Sequence, residues 1–311
     1  SMKKPCVSVL IATFNHSNYI IECLNSIKKQ TYKKIKIIIS DDCSEDDTGK
    51  IIKFYIKKNK KLKIKLYQQK KNLGVSANTN FLRGKLKDNF AVFFSGDDTM
   101  LPTRITKQVN ALLANPDAPF CYSNCMWFND DTNKNIFQQY SWWRPNTKTL
   151  ESLLSDNSIP TPTIMYNAKY LPIKMFSKKF KYLSDFSAMI DIWHNANQDP
   201  IYINEVLVRY RKHPGSVMGQ KIANDERLKL INFYNRKFKN NYSRIVSLKK
   251  FKRLYLFNSG YNKIVKNKFP IKEILIALPH IFTSSRWLAR LSLLIINIYY
   301  YKKYKKFFRN I

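Results

Sequence analysis

The first hundred residues alternate between short apolar runs and segments in which apolar residues recur at helical spacing. Each apolar run is rich in β-branched or aromatic residues, has the length of a strand and stops at polar turn residues. The predicted strands are residues 7–13, 35–40, 64–67 and 90–94, and the predicted helices are residues 19–30, 48–56 and 75–85. Because strands and helices alternate, the pattern predicts an α/β fold with a mostly parallel sheet and flanking helices.

Two threonines stand where helix N-caps are expected. Thr48 precedes the apolar periodicity of the second helix, and Thr103 follows a Leu-Pro pair ahead of the next helical pattern. Threonine hydroxyls accept hydrogen bonds from the first N–H groups of a helix, so both residues are candidate caps.

The fourth predicted strand ends in a pair of aspartates. Its apolar run, FAVFF, stops at Ser95-Gly96 and is followed at once by Asp97 and Asp98. Carboxylates at the carboxyl ends of parallel strands lie where open α/β sheets bind their ligands. Adjacent carboxylates repel each other, and Mg²⁺ or Mn²⁺ relieves the repulsion by taking oxygen ligands. An isolated pair equally fits a solvated turn with a helix-capping aspartate, so the other motifs decide.

The net charge is the most unusual bulk property of the chain. The 311 residues include 55 Lys and Arg against 21 Asp and Glu, which gives a formal net charge of +34. Such a field attracts nucleic acid, an anionic membrane surface or phosphate-bearing substrates, and a lysine-rich coding bias would give the same composition. The sequence contains no helix-turn-helix, RNA-recognition or zinc-finger signature that would favour nucleic acid.

The cysteines and the first residues bear on the cellular compartment. Five cysteines show no paired framework, which predicts reduced thiols. Lys3-Lys4-Pro5 leads into a strand-like run rather than a long apolar segment, so we expect no signal peptide. Both patterns predict a cytoplasmic protein.

Five segments, taken in order along the chain, carry a family resemblance. They are residues 7–48, NLGVSANTNF at 72–81, FFSGDDTMLP at 93–102, YLSDFSAMI at 182–190 and VLVRYRKHPGSVMG at 206–219. In this order they resemble the motifs of the family 2 glycosyltransferases of the GT-A fold, and the ordered set is more specific than any single motif. The resemblance implies a GT-A catalytic domain at 1–219, with a nucleotide-sugar-binding half at 1–100 and an acceptor-side half at 101–219.

By this resemblance, seven residues of the first half are implied to line the nucleotide pocket. They are Thr13, Phe14, Asn15, Asp42, Asn72, Ser76 and Asn80. Asp42 ends a strand, where its carboxylate can accept a hydrogen bond from a uracil N–H, although an Asx turn fits the same position. Thr79 stands where the family usually has a basic residue, which weakens any expectation of a diphosphate clamp there.

The resemblance implies a divalent metal, Mn²⁺ or Mg²⁺, at the aspartate pair. Asp97 is implied to bind the metal and the nucleotide phosphates, with Asp98 assisting. His213 and Arg211 are implied to contact the metal or the phosphates. Ser95 stands where many family members carry the first aspartate of a D-x-D motif, so Asp97 and Asp98 are the only carboxylates in this segment.

The same resemblance implies a catalytic base in the acceptor-side half. Asp185 is implied to take the proton from the attacking acceptor hydroxyl, and it stands in a polar turn before the helical residues 188–194. Ser184 replaces the acidic residue that usually precedes the base. Asp191 is a weaker candidate, because it lies six positions further on and faces a different side of the helix.

The remaining histidines and the other aspartate pair are expected to have structural roles. His16, His194 and His280 fit ordinary hydrogen-bonded histidines. Asp130-Asp131 lies in the hydrophilic stretch 129–135, and no apolar strand leads into it. We therefore expect this stretch to be a loop.

After residue 219 the composition changes, and residues 220–311 are expected to form a basic, helical C-terminal extension. Residues 287–301 are strongly apolar but contain Arg290, and they are fewer than the roughly 20 that a membrane span requires. Lys302-Lys303 and Lys305-Lys306 follow directly. This pattern suits a helix lying in an anionic membrane interface, and it also fits a helix that packs on the catalytic domain.

The resemblance implies an inverting, metal-dependent glycosyltransferase that uses a nucleotide sugar, expected to be UDP-linked. The expected acceptor is a glycan hydroxyl, on a lipid-linked oligosaccharide at the inner face of a bacterial membrane, with the protein peripheral to that membrane and no nucleic-acid partner. Two alternatives stay open. Ser95 and Ser184 replace acidic residues, as in a catalytically inactive glycan- or nucleotide-binding relative, and the charge alone would suit a nucleic-acid-binding protein.

Overall fold

The computed structural model describes residues 4–140, 147–156, 159–213 and 223–252. The strands within these ranges are β1 (Val7–Thr13), β2 (Ile35–Asp41), β3 (Lys63–Gln68), β4 (Phe90–Ser95), β5 (Thr99–Met100), β6 (Phe120–Asn129), β7 (Asn135–Gln138), β8 (Met165–Asn167) and β9 (Ile201–Lys212). The helices are α1 (Ile20–Lys28), α2 (Thr48–Lys58), α3 (Val75–Lys85), α4 (Arg104–Ala114), α5 (Leu150–Asp156), α6 (Ser184–Ala196) and α7 (Ala223–Lys237), and residues 242–252 are also helical.

The strands form one sheet in the order β3-β2-β1-β4-β8-β6-β9-β5, with β7 paired to β6. The strands β3, β2, β1 and β4 are parallel to one another, and β6 is parallel to β9. The short β8 lies between β4 and β6 and is antiparallel to both. The predicted α/β class with a mostly parallel sheet is confirmed. The antiparallel strands all belong to the second half of the sheet, which the apolar pattern did not predict.

The apolar periodicity explains how the first half packs. β1 is buried along nearly its whole length, as expected for a strand with helices on both faces of its sheet. α1 buries Ile20, Cys23, Leu24 and Ile27, which recur at the three- and four-residue spacing of one helix face. These side chains join those of the strands in a single hydrophobic cluster. This packing fixes the positions of the strands whose carboxyl ends form the edge of the sheet.

The two candidate threonine caps do not cap their helices. Thr48 is the first residue of α2, and its hydroxyl instead accepts a hydrogen bond from the backbone N–H of His16 at 2.8 Å. Thr103 has the N-cap position of α4 but makes no capping hydrogen bond. The Oε1 atom of Gln30 accepts from the N–H of Ile105 at 3.0 Å, so a distant side chain takes the capping role.

The chain divides into two compact units. The first consists of residues 1–140, 146–153 and 157–230 and carries the sheet, and the second consists of residues 141–145, 154–156 and 231–311. In the second unit the rings of Tyr234 and Phe238 stack at 5.5 Å. The boundaries expected after residues 100 and 219 stay predictions.

The predicted interfacial helix lies outside the described residues, as do the lysines that follow it. Among the residues that the structure does describe, no helix has both the length and the apolar character needed to cross a bilayer.

Candidate active site

The carboxyl ends of β1, β2 and β4 meet at one edge of the sheet. Thr13, the last residue of β1, is paired in register with Asp41, the last residue of β2. On the other side, Ala12 is paired with Ser95 at the end of β4. Because these strands are parallel, the turns that follow them lie side by side, which is where such sheets bind ligands.

Gly96 allows the turn after β4 to lie against the turn after β1. A Cβ atom at this position would lie 2.8 Å from Oγ1 of Thr13 and 2.8 Å from Nδ1 of His16. Contacts this short are not tolerated in close-packed protein, so any side chain here would push the two turns apart. Thr13 and His16 are themselves within hydrogen-bonding distance, 3.2 Å.

Asp97 follows Gly96 and lies between two histidines. Its Oδ2 atom is 3.0 Å from Nε2 of His213 and 4.0 Å from Nε2 of His16. Its Oδ1 atom is buried and has no hydrogen-bond partner among the described residues. Burial would raise the pKa of Asp97, but the hydrogen bond with His213 and the charge of His16 lower it below its ordinary value. Asp97 is therefore an anion with one oxygen available to a ligand.

Asp98 points away from this turn toward the last strand. It is buried, and its Oδ1 atom accepts a hydrogen bond from the backbone N–H of Arg211 at 2.9 Å. Burial raises the pKa of Asp98 well above its usual range, and the neighbouring charge of Asp97 raises it further. The contact gives Asp98 a structural function in joining β4 to β9, and its implied assistance to a metal stays a prediction.

Arg211 is buried and uses its whole guanidinium group within the protein. Nε donates to the backbone oxygen of Asp97 at 2.8 Å, Nη1 donates to Oδ1 of Asp130 at 2.6 Å, and Nη2 donates to Glu22. The guanidinium carbon also lies 4.9 Å from the ring centroid of Tyr19. Arg211 thus ties β9 to α1 and to the β6–β7 turn, and its implied contact with phosphate stays a prediction.

Four residues at this site were not among the candidates from the sequence: His16, Tyr19, Glu22 and Asp130. Burial lowers the pKa of His16, although the charge of Asp97 acts in the opposite direction. The hydroxyl of Tyr19 donates to Oδ2 of Asp130 at 2.8 Å, and its ring lies 4.9 Å from that of His213. The position of His16, in the turn just after β1, was the signal that could have identified it.

The aspartate pair at 130–131 is in a loop, as predicted, but a strand does lead into it. β6 ends at Asn129, and the loop is the turn between β6 and β7. The strand was missed because the buried polar residues Ser123 and Asn124 interrupt its apolar run, at the point where the pairing with β9 shifts register. Asp130 consequently reaches the candidate site from the opposite half of the sheet.

Asp42 holds the loop that begins α3. Its two carboxylate oxygens accept from the backbone N–H groups of Leu73 at 2.8 Å and Gly74 at 2.9 Å. Gly74 has a φ of 80°, a left-handed conformation that favours glycine, and its N–H also lies 3.0 Å from the side-chain oxygen of Asn72. Each carboxylate oxygen can accept more than one hydrogen bond, so a base-reading contact remains open to Asp42.

The turn after β1 is locked to the loop after β2. Asn15 adopts a φ of 54°, and its backbone N–H donates to Oγ of Ser44 at 2.9 Å. Its side-chain oxygen accepts from the N–H of Glu45, also at 2.9 Å. Phe14, between the buried Thr13 and Asn15, leaves 38% of its surface exposed at this edge. An exposed aromatic ring on a fixed turn is a surface on which a nucleotide base can stack.

Ser76 and Asn80, both on α3, have different surroundings. Ser76 lies in the first turn, and its hydroxyl is buried without a hydrogen-bond partner among the described residues. Asn80 makes two hydrogen bonds with the backbone of Phe176, donating at 2.6 Å and accepting at 2.9 Å. The hydroxyl of Ser76 is available to a ligand, whereas the amide of Asn80 joins α3 to the segment around Phe176.

Asp185 lies in the first turn of α6, one residue after the helix begins. Its Oδ2 atom accepts from the hydroxyl of Thr161 at 2.6 Å, and its Oδ1 atom accepts from the N–H of Phe186 at 2.7 Å. Burial raises the pKa of Asp185 above its ordinary value, because these hydrogen bonds only partly compensate for the lost hydration. A carboxylate with a raised pKa is a better proton acceptor than an ordinary one.

Tyr210 on β9 interacts electrostatically with Asp185 and with both residues of the aspartate pair, Asp97 and Asp98. Burial raises its pKa well above the usual range, and the charges of Asp98, Asp97 and Asp185 raise it further. The three carboxylates therefore act on one side chain, although they come from two halves of the chain.

Two solved structures that contain a bound nucleotide sugar have the same fold as this chain. Residues 1–349 of TarS from S. aureus, in complex with UDP-GlcNAc, match with a TM-score of 0.57 and 20% identity over 81% of this chain and 80% of that one. The mannosyltransferase PcManGT from Pyrobaculum calidifontis, in complex with GDP-Man and Mn²⁺, matches with a TM-score of 0.58 and 15% identity over 98% and 84% of the two chains. These matches confirm the predicted GT-A fold.

The chain belongs to glycosyl transferase family 2. The family model matches residues 8–170, more than half of the 311 residues, and confirms the resemblance drawn from the sequence motifs. An uncharacterized glycosyltransferase of Rickettsia typhi is 29% identical over 220 residues, which are 67% of this chain. The chain spans 64% of the length of that relative.

Proposed function

We propose that this chain is an inverting glycosyltransferase that moves a sugar from a nucleotide sugar, UDP-linked, to a hydroxyl group of a glycan acceptor. Two features are part of the proposal: a divalent metal at Asp97 and a catalytic base at Asp185. An inactive glycan- or nucleotide-binding relative would bind the same ligands without turnover.

The observation that carries this proposal is the placement of two buried carboxylates: Asp97 lies in the turn after β4 beside His213, and Asp185 lies in the first turn of α6 beside Thr161. The pKa of Asp97 is lowered, which suits an anion that binds a cation and a diphosphate. The pKa of Asp185 is raised by burial, which suits a group that accepts a proton. Titratable groups whose environments push their pKa values apart are typical of sites that divide such roles.

The residues around Asp97 fit a divalent cation that arrives with the donor. Asp97 has a buried Oδ1 atom without a partner among the described residues, and an imidazole nitrogen of His213 lies beside its other oxygen. Among the residues that the structure describes, no cluster of three or more His, Cys, Asp or Glu side chains is arranged to hold a metal unaided. Mg²⁺ and similar ions need only one or two carboxylates when substrate phosphates and water complete the coordination. Held by Asp97 and His213, the ion would neutralise charge on the departing diphosphate.

Asp185 would act on the acceptor. Its carboxylate takes the proton from the acceptor hydroxyl while that oxygen forms a bond to the anomeric carbon of the sugar. The bond between the anomeric carbon and the diphosphate breaks in the same step, and its electron pair leaves with the nucleoside diphosphate. A single displacement of this kind inverts the anomeric configuration.

The nucleotide would bind across the turns after β1 and β2. The exposed ring of Phe14 provides a stacking surface, Asp42 an acceptor for a base N–H, and the buried hydroxyl of Ser76 a contact for ribose or phosphate. The structural neighbours bind UDP-GlcNAc and GDP-Man, which supports a nucleotide-sugar donor of either base. We propose UDP because the carboxylate of Asp42 can accept from the N–H of uracil; the N–H groups of guanine suit a carboxylate equally, so a panel of UDP- and GDP-sugars decides between the two bases.

The proposed acceptor is a lipid-linked glycan at an anionic membrane surface, to which the protein would bind peripherally at the cytoplasmic face. Residues 48–87, which form α2, β3 and α3, contain thirteen Lys and Arg but no Asp or Glu. On α2 the exposed ring of Phe54 is surrounded in sequence by exposed lysines. Each lysine near an anionic bilayer contributes about 1 kcal/mol, and an exposed aromatic ring suits the interface.

Two measurements test these finer parts of the proposal. Proton NMR of the product made from an α-linked UDP-sugar should show a β-glycosidic linkage, and an α-linkage would contradict the single displacement. The full chain should sediment with phosphatidylglycerol vesicles at low salt and less so at high salt. Retention by duplex DNA, without binding to those vesicles, would instead favour a nucleic-acid partner.

A further inference from the structure

Glu226, near the start of α7, is hydrogen-bonded to the turn that precedes α6. Its Oε2 atom accepts from the backbone N–H of Tyr182 at 2.6 Å and of Leu183 at 2.8 Å, and its Oε1 atom accepts from that of Lys181. Three consecutive amide groups therefore converge on one carboxylate. Hydrogen bonds to an ionised acceptor are roughly twice as strong as neutral ones, so this is a firm connection between two segments.

This connection lies immediately before the N-terminus of α6. The cap position falls on Leu183, which makes no side-chain capping bond. The first N–H groups of a helix need acceptors, which Ser, Thr, Asp or Asn at the cap usually supply. Glu226 does not bind those groups: it accepts from the N–H groups of the three residues just before the helix, the last of which, Leu183, has the cap position.

The segment held in this way leads directly into the first turn of α6, which carries Asp185. The carboxylate of Asp185 contacts Thr161 and its own backbone neighbour Phe186. The direction of the carboxylate is therefore set by where the first turn of α6 lies. The charge of Glu226 also raises the pKa of Asp185, in addition to the larger effect of burial.

We propose that Glu226 is a positioning residue for sugar transfer: by holding the backbone of residues 181–183, it keeps Asp185 directed at the acceptor hydroxyl. This inference rests on the proposed role of Asp185 as the base. If it holds, catalysis depends on a residue outside residues 8–170, which the family model matches, and beyond the predicted domain end at 219.

The pH dependence distinguishes positioning from simple support of the fold. Asp185 interacts with Tyr166 on β8, Tyr210 on β9 and Glu226 on α7, and Asp191 follows on its own helix. Both tyrosines are neutral in the physiological range, because burial raises their pKa. Removing the negative charge at 226 stabilises the ionised form of Asp185 and lowers its pKa. The acid limb of the kcat profile should then move to lower pH.

The test uses Glu226→Gln in the full chain, because glutamine keeps the shape but lacks the charge and one acceptor oxygen. Misplacement of a catalytic group by about 1 Å can slow a reaction 10²-fold, so we expect kcat to fall by about 10- to 100-fold while the KM for the UDP-sugar is unchanged. Amide hydrogen exchange at residues 181–183 should become faster. Lys229→Gln, an exposed change of one charge on the same helix, is the matched control and should leave all of these values at wild type.

A double-mutant cycle with Asp185→Asn shows whether Glu226 acts through Asp185. If it does, Glu226→Gln should cause little further loss of kcat once Asp185 has been replaced, whereas a separate structural effect would multiply with the first. Additive effects, or wild-type kcat and an unmoved acid limb in folded Glu226→Gln, would overturn the inference.

Failure of the inference can be separated from failure of the proposed function. If Asp185→Asn is inactive and Glu226→Gln is fully active, only the proposed role of Glu226 is contradicted. If Asp185→Asn is fully active, the assignment of Asp185 as the base is contradicted, and so is the inference about Glu226. Should Glu226→Gln fail to fold by circular dichroism, Glu226→Asp replaces it. That variant keeps the charge on a shorter side chain, so a reduced kcat with an unmoved acid limb is expected, and wild-type kcat would overturn the inference.

Discussion

The Nε2 atom of His213 lies 3.0 Å from Oδ2 of Asp97, although 116 positions separate the two residues in the sequence. This contact joins the end of β9 to the turn after β4. It also contributes to the lowered pKa of Asp97, which keeps that carboxylate ionised and ready to bind a cation. The last strand of the described sheet therefore completes a site that the first strands begin.

Asp185→Asn should lower kcat by roughly 10²–10⁴, the usual contribution of general base catalysis, because an amide cannot take the proton. The affinity for UDP, measured by calorimetry, should stay within a factor of two of the wild type, since the proposed nucleotide contacts lie on other elements. Asp191→Asn, on the same helix, is the comparison variant. If Asp191→Asn shows the loss and Asp185→Asn does not, the base has been assigned to the wrong carboxylate.

Gly96→Ala should destabilise the fold by about 1–3 kcal/mol and reduce activity, because the added methyl group meets Thr13 and His16 at 2.8 Å. Gly84→Ala is the matched control. It lies in α3 with nothing within 4 Å of its added Cβ, and alanine there should stabilise the helix by about 0.5–1 kcal/mol. Urea unfolding of both variants gives the two values. Equal stabilities would show that the turns after β1 and β4 are not closely packed.

Two substitutions at Asp98 distinguish its structural contact with Arg211 from a role in metal binding. Asp98→Asn keeps an oxygen for the N–H of Arg211 and removes a buried charge, so it should be at least as stable as the wild type at neutral pH. Asp98→Ala leaves that N–H without an acceptor and should lose about 1–3 kcal/mol. Folded Asp98→Asn with near-normal turnover is expected if Asp97 alone binds the metal. A loss as large as that of Asp97→Asn would make Asp98 a ligand.

Asp46 predicts a pH dependence of stability. Its carboxylate accepts hydrogen bonds from Thr48 and Ser17, which outweigh the effect of burial and lower its pKa from 3.8 to about 2. The folded state thus prefers the ionised form, so the stabilisation is complete above the unfolded pKa and is lost as the pH falls through the folded pKa. Thermal unfolding should show Asp46→Asn less stable than the wild type at pH 7, with the difference vanishing near pH 2. A difference that is constant with pH would contradict this assignment.

The first half of the fold could be predicted because its strands are continuous apolar runs. The expected strand at residues 7–13 and helix at residues 75–85 match β1 and α3 to the residue. β6 could not be found in this way, since Ser123 and Asn124 are buried polar residues inside it. Burial of such residues depends on partners from other strands, which a local pattern does not contain.

In the candidate site, too, some residues could be predicted from a local sequence pattern and others could not. Asp97 was identified because it follows an apolar strand directly. The partners of Arg211 were not, because Asp130 and Glu22 lie 81 and 189 positions away and neither belongs to a recognisable motif. Glu226 likewise acts on the backbone of a distant turn, which leaves no pattern in its own neighbourhood. Contacts formed only by the tertiary fold are the part that sequence reasoning misses.

The most direct test of the central claim is the release of nucleoside diphosphate from a panel of UDP- and GDP-sugars with Mn²⁺ and a mixture of glycan acceptors. We predict turnover with at least one UDP-sugar, its loss on addition of EDTA, and a fall of about 10²–10³ in Asp97→Asn, the usual effect of removing a group that stabilises developing charge. Asp117→Asn, whose side chain is 78% exposed and pairs with Lys169, is the control and should remain active. Binding without release from any donor would make the chain an inactive relative, and undiminished, EDTA-insensitive turnover in Asp97→Asn would contradict the proposed metal site.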